Sequence, residues 1–492
     1  MMGHDYSGRL QFFEQIRVGV RRVDDREVKP RWSAAATTRS VLFVVVLYAL
    51  TGGLVYLFFT DQRTAVTDWS DMRLLALLFF LPTVFRYYIG LVTAPLFDAL
   101  MWWRRRRSRH ARRGFEPSVS VVIPAWNEEV GVVTTIRSIL QSNYRNLEVI
   151  VINDGSTDDT DAAVQRYLEE RRTTGLPTPV RYYRQDNAGK SAALNRGVSE
   201  AAGDIIVTID ADSLVDPDAI GNLVKHFEND SVMAVAGNIR IGNRARVIGL
   251  VQQLEYLFGF YFKRADSLLN SIYVVGGAAA AYRREAFTEL GGFDGDIITE
   301  DLEMSVRIQD AGYANAYAPD AIVYTEGPIR LNDLLKQRLR WKFGKLHTFA
   351  KYSHLFMSTD RRHSWPLTLL MLPIAVAGEA LFLLELPLLA LFYHYMVTEG
   401  DYVPLLVNVG IASLVILWQI VADPKRRDNL NLLILAPVAW LVFYIADAVE
   451  IQALVRSLWR IARKRDVTWQ RWSRTGVFEQ AGLPGTSEKT PH

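Results

Sequence analysis

The apolar residues of this chain are gathered at its two ends. Residues 41–59, VLFVVVLYALTGGLVYLFF, run without a charge, over a length that matches the roughly 20 residues an α-helix needs to cross a bilayer core. A second stretch, 73–103, is interrupted by Arg86, and three more lie at 365–396, 403–422 and 430–455. In hydrocarbon each backbone polar group must be satisfied within its own segment, so these stretches are expected to be helical. The middle, 114–360, alternates short apolar runs with polar loops and helical patterns, which predicts a soluble α/β domain. The chain divides accordingly into an N-terminal segment (1–40), two transmembrane helices within 41–103, the central domain (114–360), a C-terminal transmembrane region of about three spans (365–458), and a basic tail (459–492) with a disordered end.

A formal net charge of +3 says less than where the basic residues lie. Arg17, Arg21, Arg22, Arg26, Lys29 and Arg31 precede the first apolar stretch, and Arg104 to Arg107, Arg109, Arg112 and Arg113 follow the second. The positive-inside rule then puts the N-terminus and the central domain in the cytoplasm and the loop 60–72 outside. It also puts 397–403 outside and DPKRRDN, 423–429, inside. Five spans would leave the tail outside, against its basic character, so part of 365–396, with Pro373, Glu379 and Pro387, is expected to be re-entrant or interfacial. The arginine runs flank membrane stretches, so lipid head groups are their partner and nucleic acid is not. The sequence contains no cysteine, which excludes disulfides, thiolate metal sites and cysteine nucleophiles.

In the central domain, Ser120 to Pro124 and Leu147 to Ile152 read as buried strands, each ending in a polar loop: Ala125-Trp126-Asn127-Glu128-Glu129 and Asn153-Asp154-Gly155-Ser156. Strands alternating with helices predict a parallel sheet with a ligand site at the strand C-termini. Ile205 to Ile209 runs into Asp210-Ala211-Asp212. On an extended chain those two carboxylates point to one side and suit a divalent cation on a diphosphate. Residues 245–265 read as an apolar, aromatic helix that lies either at the membrane surface or packed in the domain core. The small residues of 274–284 allow a bulky ligand close to the backbone. Thr299-Glu300-Asp301 opens a helix and offers a lone carboxylate that can take a proton from an alcohol. Gln337-Arg338-Leu339-Arg340-Trp341 supplies an arginine for pyrophosphate and an indole for stacking a sugar.

In their order and spacing these motifs, spread over about residues 115–345, resemble the family 2 glycosyltransferases, and within them the processive membrane-embedded synthases of cellulose, chitin, hyaluronan and poly-N-acetylglucosamine. The resemblance implies an α/β GT-A-type, Rossmann-like cytoplasmic domain inserted between α-helical transmembrane segments. It implies donor contacts, to a UDP-sugar, from Trp126, Glu128, Asp154, Lys190, Asp210, Gln337 and Arg340, and acceptor contacts from Gly277, Glu300 and Trp341. Asp301 would be the catalytic base, and Asp210 and Asp212 would hold Mg2+ or Mn2+. The activity implied is an inverting, processive synthesis of a β-linked polysaccharide that is moved across the membrane. Two leading spans and the segment Asn187 to Asn195 point to UDP-N-acetylglucosamine as the donor. The rival reading is a polyprenyl-phosphate glycosyltransferase that transfers one sugar to a lipid carrier. Partners would be the donor, the growing glycan, the bilayer and an accessory membrane subunit, in a multi-pass protein of a bacterial-type inner membrane.

Overall fold

The structure is a computed structural model that describes residues 87–97, 99–101, 114–174, 178–244 and 247–467, together with Val45 and Ala49. Apart from Val45 and Ala49, the expected first span, the loop 60–72, the basic runs flanking the first two spans and the tail from 468 lie outside the described residues. The second expected span is described only over its last part, where 87–97 is helical.

The central domain is built on one sheet of eight strands in the order β3-β2-β1-β4-β7-β6-β8-β5. Four of them, β1 (Val119–Ala125), β2 (Leu147–Asp154), β3 (Val180–Gln185) and β4 (Ile205–Ile209), are parallel neighbours. The side chains of β1, β2 and β4 are buried on both faces, whereas those of the outer β3 are only partly covered. Val121 and Ile123 meet Ile136 and Ile139 of α1 (Val132–Leu140), while Val122 points the other way onto Ala193 and Leu194 of α3 (Lys190–Glu200). A large aliphatic side chain so buried contributes about 1.5–3 kcal/mol, which is why these strands read as continuous apolar runs. Helix α2 (Thr160–Thr174) links β2 to β3.

The second half of the sheet departs from the expected parallel arrangement. The short β5 (Ser213–Val215), helix α4 (Ala219–Val224) and β6 (Val232–Ile241) precede the 22-residue helix α5 (Val247–Leu268). After α5 the chain re-enters the sheet from the ligand rim, so β7 (Ala279–Arg283) must run antiparallel: Ala279 pairs with Ile209 and Arg283 with Ile205. That reversal sets the loop before β7 beside Asp210. Helices α6 (Arg284–Leu290) and α7 (Glu300–Asp310), strand β8 (Ala314–Thr325) and the 21-residue helix α8 (Leu331–Lys351) complete the domain.

Helix α5 lies between the sheet and the C-terminal helices. Phe260 stacks on Tyr317 of β8, while Leu254, Leu257, Tyr261 and Phe262 pack onto α10 (Val403–Ala422), α11 (Ala439–Ala462) and the helix at 87–97. Among the described residues, two helices, Pro366–Glu399 and Ala436–Ala462, are long and apolar enough to cross a membrane. The first is not broken where a break was expected. A π-helical turn, Pro366–Met371, continues directly into α9 (Leu372–Glu399), which holds Pro387 in its interior. Pro366 opens this continuous helix, where its missing N–H costs nothing, and Glu379 is tolerated because two lysines meet it.

Candidate active site

The C-terminal ends of β1, β2 and β4 open into one rim, and its loops are tied to one another. Asn127, at φ 57°, accepts through Oδ1 from the amide of Thr157 at 2.7 Å and donates its own amide to Ser156 Oγ at 2.9 Å. The Glu128 amide donates to Thr160 Oγ1 at 2.8 Å. The loop after β1 is thus held in register with the loop after β2. Asp154, buried at the end of β2, accepts the amides of Ala188 at 3.0 Å and Gly189 at 2.9 Å and the Gln185 side chain at 2.8 Å. It therefore braces the turn that delivers Lys190 at the first position of α3.

Lys190 is the electrostatic centre. Its Nζ lies 2.8 Å from Asp210 and 3.3 Å from Glu300. Burial works against its charge, but the carboxylates of Asp210, Glu300 and Asp301 outweigh that and hold the ammonium well above the ordinary lysine range. Burial pushes the Glu300 carboxyl above the usual carboxylate range, partly offset by Lys190. Asp301 accepts the Gly277 amide on Oδ2 at 2.6 Å and the Leu302 amide on Oδ1 at 2.8 Å. A Cβ on Gly277 would stand 3.2 Å from Lys190 Nζ and 3.3 Å from Asp301 Oδ2. A side chain there would push both charged groups back by a few tenths of an ångström, so glycine gives them the closest approach to the backbone.

Asp210-Ala211-Asp212 is a turn between β4 and β5, not the extended segment expected. Thr135 Oγ1 donates to the Ala211 carbonyl at 2.8 Å and fixes that turn. Both carboxylates still reach the same cavity. Among the described residues no cluster of three or more His, Asp or Glu is placed to hold a metal. The two aspartates nevertheless fit a Mg2+-like ion, which takes one or two carboxylates and completes its shell with substrate phosphates and water.

Helix α8 closes the site. Gly344 faces Thr299, where a Cβ would fall 2.2 Å from Thr299 Oγ1, so α8 rests directly on the turn that carries Glu300 and Asp301. The result is a single cavity of about 910 Å³. It is lined by Trp126, Glu128, Asp154, Lys190, Asp210, Asp212, Gly277, Glu300, Asp301, Gln337, Arg340 and Trp341, all twelve positions singled out in the sequence. The cavity extends past them to Phe443, Asp447 and Glu450 on α11. Several lining residues carried no motif. Lys263 of α5 is one, its ammonium lowered to about 8 by burial, with Asp266 and Asp301 opposing. Lys342 and Lys345 of α8 are others, and their i, i+4, i+7 spacing from Arg338, which stood in the Gln337–Trp341 motif without a role of its own, was a readable sign that the three share a helix face.

The architecture is a mixed, curled α/β sheet with a polar cavity across the C-terminal ends of its parallel half. Residues 120–291 match the Glycosyl transferase family 2 model, and this part of the chain is a family 2 glycosyltransferase domain. Poly-beta-1,6-N-acetyl-D-glucosamine synthase of Staphylococcus aureus is 32% identical over 256 residues, covering 51% of this chain and 60% of that protein. The synthase of the same name from Staphylococcus epidermidis is 32% identical over 229 residues, covering 46% and 54%. The chain thus spans little more than half the length of these relatives. In structure it is similar to a mannosyltransferase of Pyrobaculum calidifontis in complex with GDP-Man and Mn2+, at a TM-score of 0.50 and 23% identity, covering 77% of this chain and 98% of that one. That likeness supports the fold.

Proposed function

We propose that the protein is an inverting, processive synthase that transfers a sugar, N-acetylglucosamine in the first instance, from a UDP donor to a growing β-linked glycan and passes the product into the membrane. The observation that carries this reading is the convergence of a diphosphate-type site, a lone amide-oriented carboxylate and an indole on one cavity that continues to α11. The relatives' printed activity supports the choice of sugar.

In this mechanism Trp126, Glu128 and Asp154 flank the nucleoside. Lys190 and Arg340 face the diphosphate with positive charge, and Gln337, a buried side chain whose Oε1 has no hydrogen-bond partner among the described residues, stands in the same wall. Asp210 and Asp212 would hold Mg2+ or Mn2+, which supplies charge neutralisation for the departing diphosphate. The two amides on Asp301 leave each oxygen a further lone pair. The carboxylate takes the proton of the acceptor hydroxyl as that oxygen attacks the anomeric carbon; the bond to the diphosphate breaks, and UDP leaves. One base and no covalent sugar intermediate give inversion. Trp341 offers its ring face to the acceptor sugar, with Gly277 and Glu300 beside it.

The test is incubation of the purified protein in lipid with individual UDP-sugars, followed by digestion of the product with linkage-specific hydrolases. A β-linked polymer of N-acetylglucosamine is the expected result. A single sugar on a polyprenyl phosphate, or polymer from another UDP-sugar alone, would overturn the processive reading or the sugar, respectively.

A further inference from the structure

Arg338, Lys342 and Lys345 project from one face of α8, and each is met by a carboxylate from another helix. Arg338 lies 2.8 Å from Glu255 of α5 and 3.5 Å from Glu450 of α11. Lys342 lies 2.7 Å from the same Glu450 and 2.8 Å from Glu379 of α9. Lys345 lies 2.6 Å from that Glu379. The signs therefore alternate in space through Glu255, Arg338, Glu450, Lys342, Glu379 and Lys345, and three acids against three bases leave the chain of charges neutral. Arg338, Lys342 and Glu379 are buried.

Such a network is a poor device for stability alone, since desolvating charges offsets most of what their pairing returns and apolar side chains would pack the same space. It is a good device for fixing how helices sit against one another, because a displaced helix leaves buried charges unpaired. Arg338 makes a second contact that matters here. Its guanidinium stands 4.6 Å from the centroid of the Trp341 ring. Arginine combines a planar face for an aromatic ring with several donors for carboxylates, so this one residue joins the ion network to the indole.

We propose that the alternating network is a positioning device for the acceptor: Glu379 of α9 and Glu450 of α11 fix the seating of α8, and through Arg338 they hold the Trp341 ring in place. Retention of the growing glycan between additions then depends on residues in the two long apolar helices that act on it by way of α8. The inference rests on the acceptor role proposed for Trp341.

The double variant Lys342→Met with Glu450→Met tests it. That change removes one acid and one base and leaves Glu255–Arg338 and Glu379–Lys345 as two intact pairs, so no buried charge is stranded. UDP-sugar affinity is expected to stay within about twofold of the parent, while product length falls and the KM for an acceptor oligosaccharide rises by roughly tenfold, the scale of a modest misplacement in a site. Glu450→Asp, which keeps the charge, should restore long product, and Arg338→Lys, which keeps the charge but not the planar face, should shorten it. Parent-length polymer from the double variant overturns the inference alone. Equal losses of donor affinity and product length also overturn it, because the network would then serve the fold. A parent that makes no polymer from any UDP-sugar overturns the acceptor reading and this inference with it.

Discussion

At the scale of single residues, the site separates groups by how much freedom their surroundings leave them. Asp301 is held by two backbone amides, so Asp301→Asn keeps the shape of the helix start while removing the ability to accept a proton. Sugar transfer should fall by at least roughly 100-fold, the range of general-base catalysis, with UDP-sugar binding retained by calorimetry. Loss of binding together with transfer would make Asp301 a structural cap. Lys263 offers a test by pH. Its ammonium is lowered to about 8 by burial, whereas an unfolded lysine titrates near ~10.4. Below pH 8 both states carry the proton, and the folded protein bears the cost of a buried charge. Between pH 8 and ~10.4 the unfolded state binds more protons, so stability rises with pH. Lys263→Met should therefore stabilise the protein by about 1–3 kcal/mol at pH 7, an advantage that shrinks to nothing by pH ~10.5. Thermal melts in detergent across that range would measure it, and a gain independent of pH would contradict the assigned cause.

At the scale of elements, the contact between α7 and α8 decides whether the site exists. A glycine inside a helix costs about 1 kcal/mol relative to alanine, and Gly344 sits there because α8 must lie against Thr299. Gly344→Ala should gain in local helix propensity yet move α8 off the start of α7, lowering transfer by roughly 100-fold for a displacement of about 1 Å. Thr299→Gly in the same chain, which keeps a workable cap, should recover much of that loss; a Gly344→Ala protein with full activity would show that the contact is slack. The same elements mark what could be read in advance. The motif loops after β1, β2 and β4 were legible because each is a short polar interruption of a buried strand, and the Asp301 turn because a carboxylate opens a helix. Antiparallel β7 was not legible, since its direction depends on where the chain returns after α5. Gly344 was not legible either, because its partner lies 45 positions away. Glu379 and Glu450 were visible only as carboxylates in apolar runs that also hold Glu385 and Asp447, a mark of function or of a partner, with nothing to say that both partners were on α8.

At the scale of the whole molecule, the connection between α10 and α11 shows which ends face the catalytic domain. Asp423 lies 2.6 Å from Arg240 of β6, Tyr324 of β8 donates to Asp428 at 2.6 Å, and Gln253 of α5 donates to Asn429 at 2.9 Å. Lys425 pairs with Asp216. The segment 423–429 is thus docked on the domain, and α9 with α10 leaves the domain and comes back. Helix α11 behaves differently. Near its start Ala439 packs with Leu254 and Leu257 of α5, and at Glu450 it is paired with Arg338 and Lys342 of α8. Those two points are about 16 Å apart along a helix that rises 1.5 Å per residue, yet both rest on domain helices, so α11 runs along the domain instead of leading away from it. The basic end after Glu450, with Arg456, Arg460 and Arg463, should then emerge on the domain side, which removes the conflict between span number and tail charge without a re-entrant break in α9. A chain without cysteine makes the measurement clean. A cysteine at Thr398 should react with an impermeant maleimide in intact cells, whereas cysteines at Arg427 and Lys464 should react only after permeabilisation. Reaction at Lys464 in intact cells would mean that α11 crosses the bilayer, and its pairing with α8 would then have to be made within the membrane.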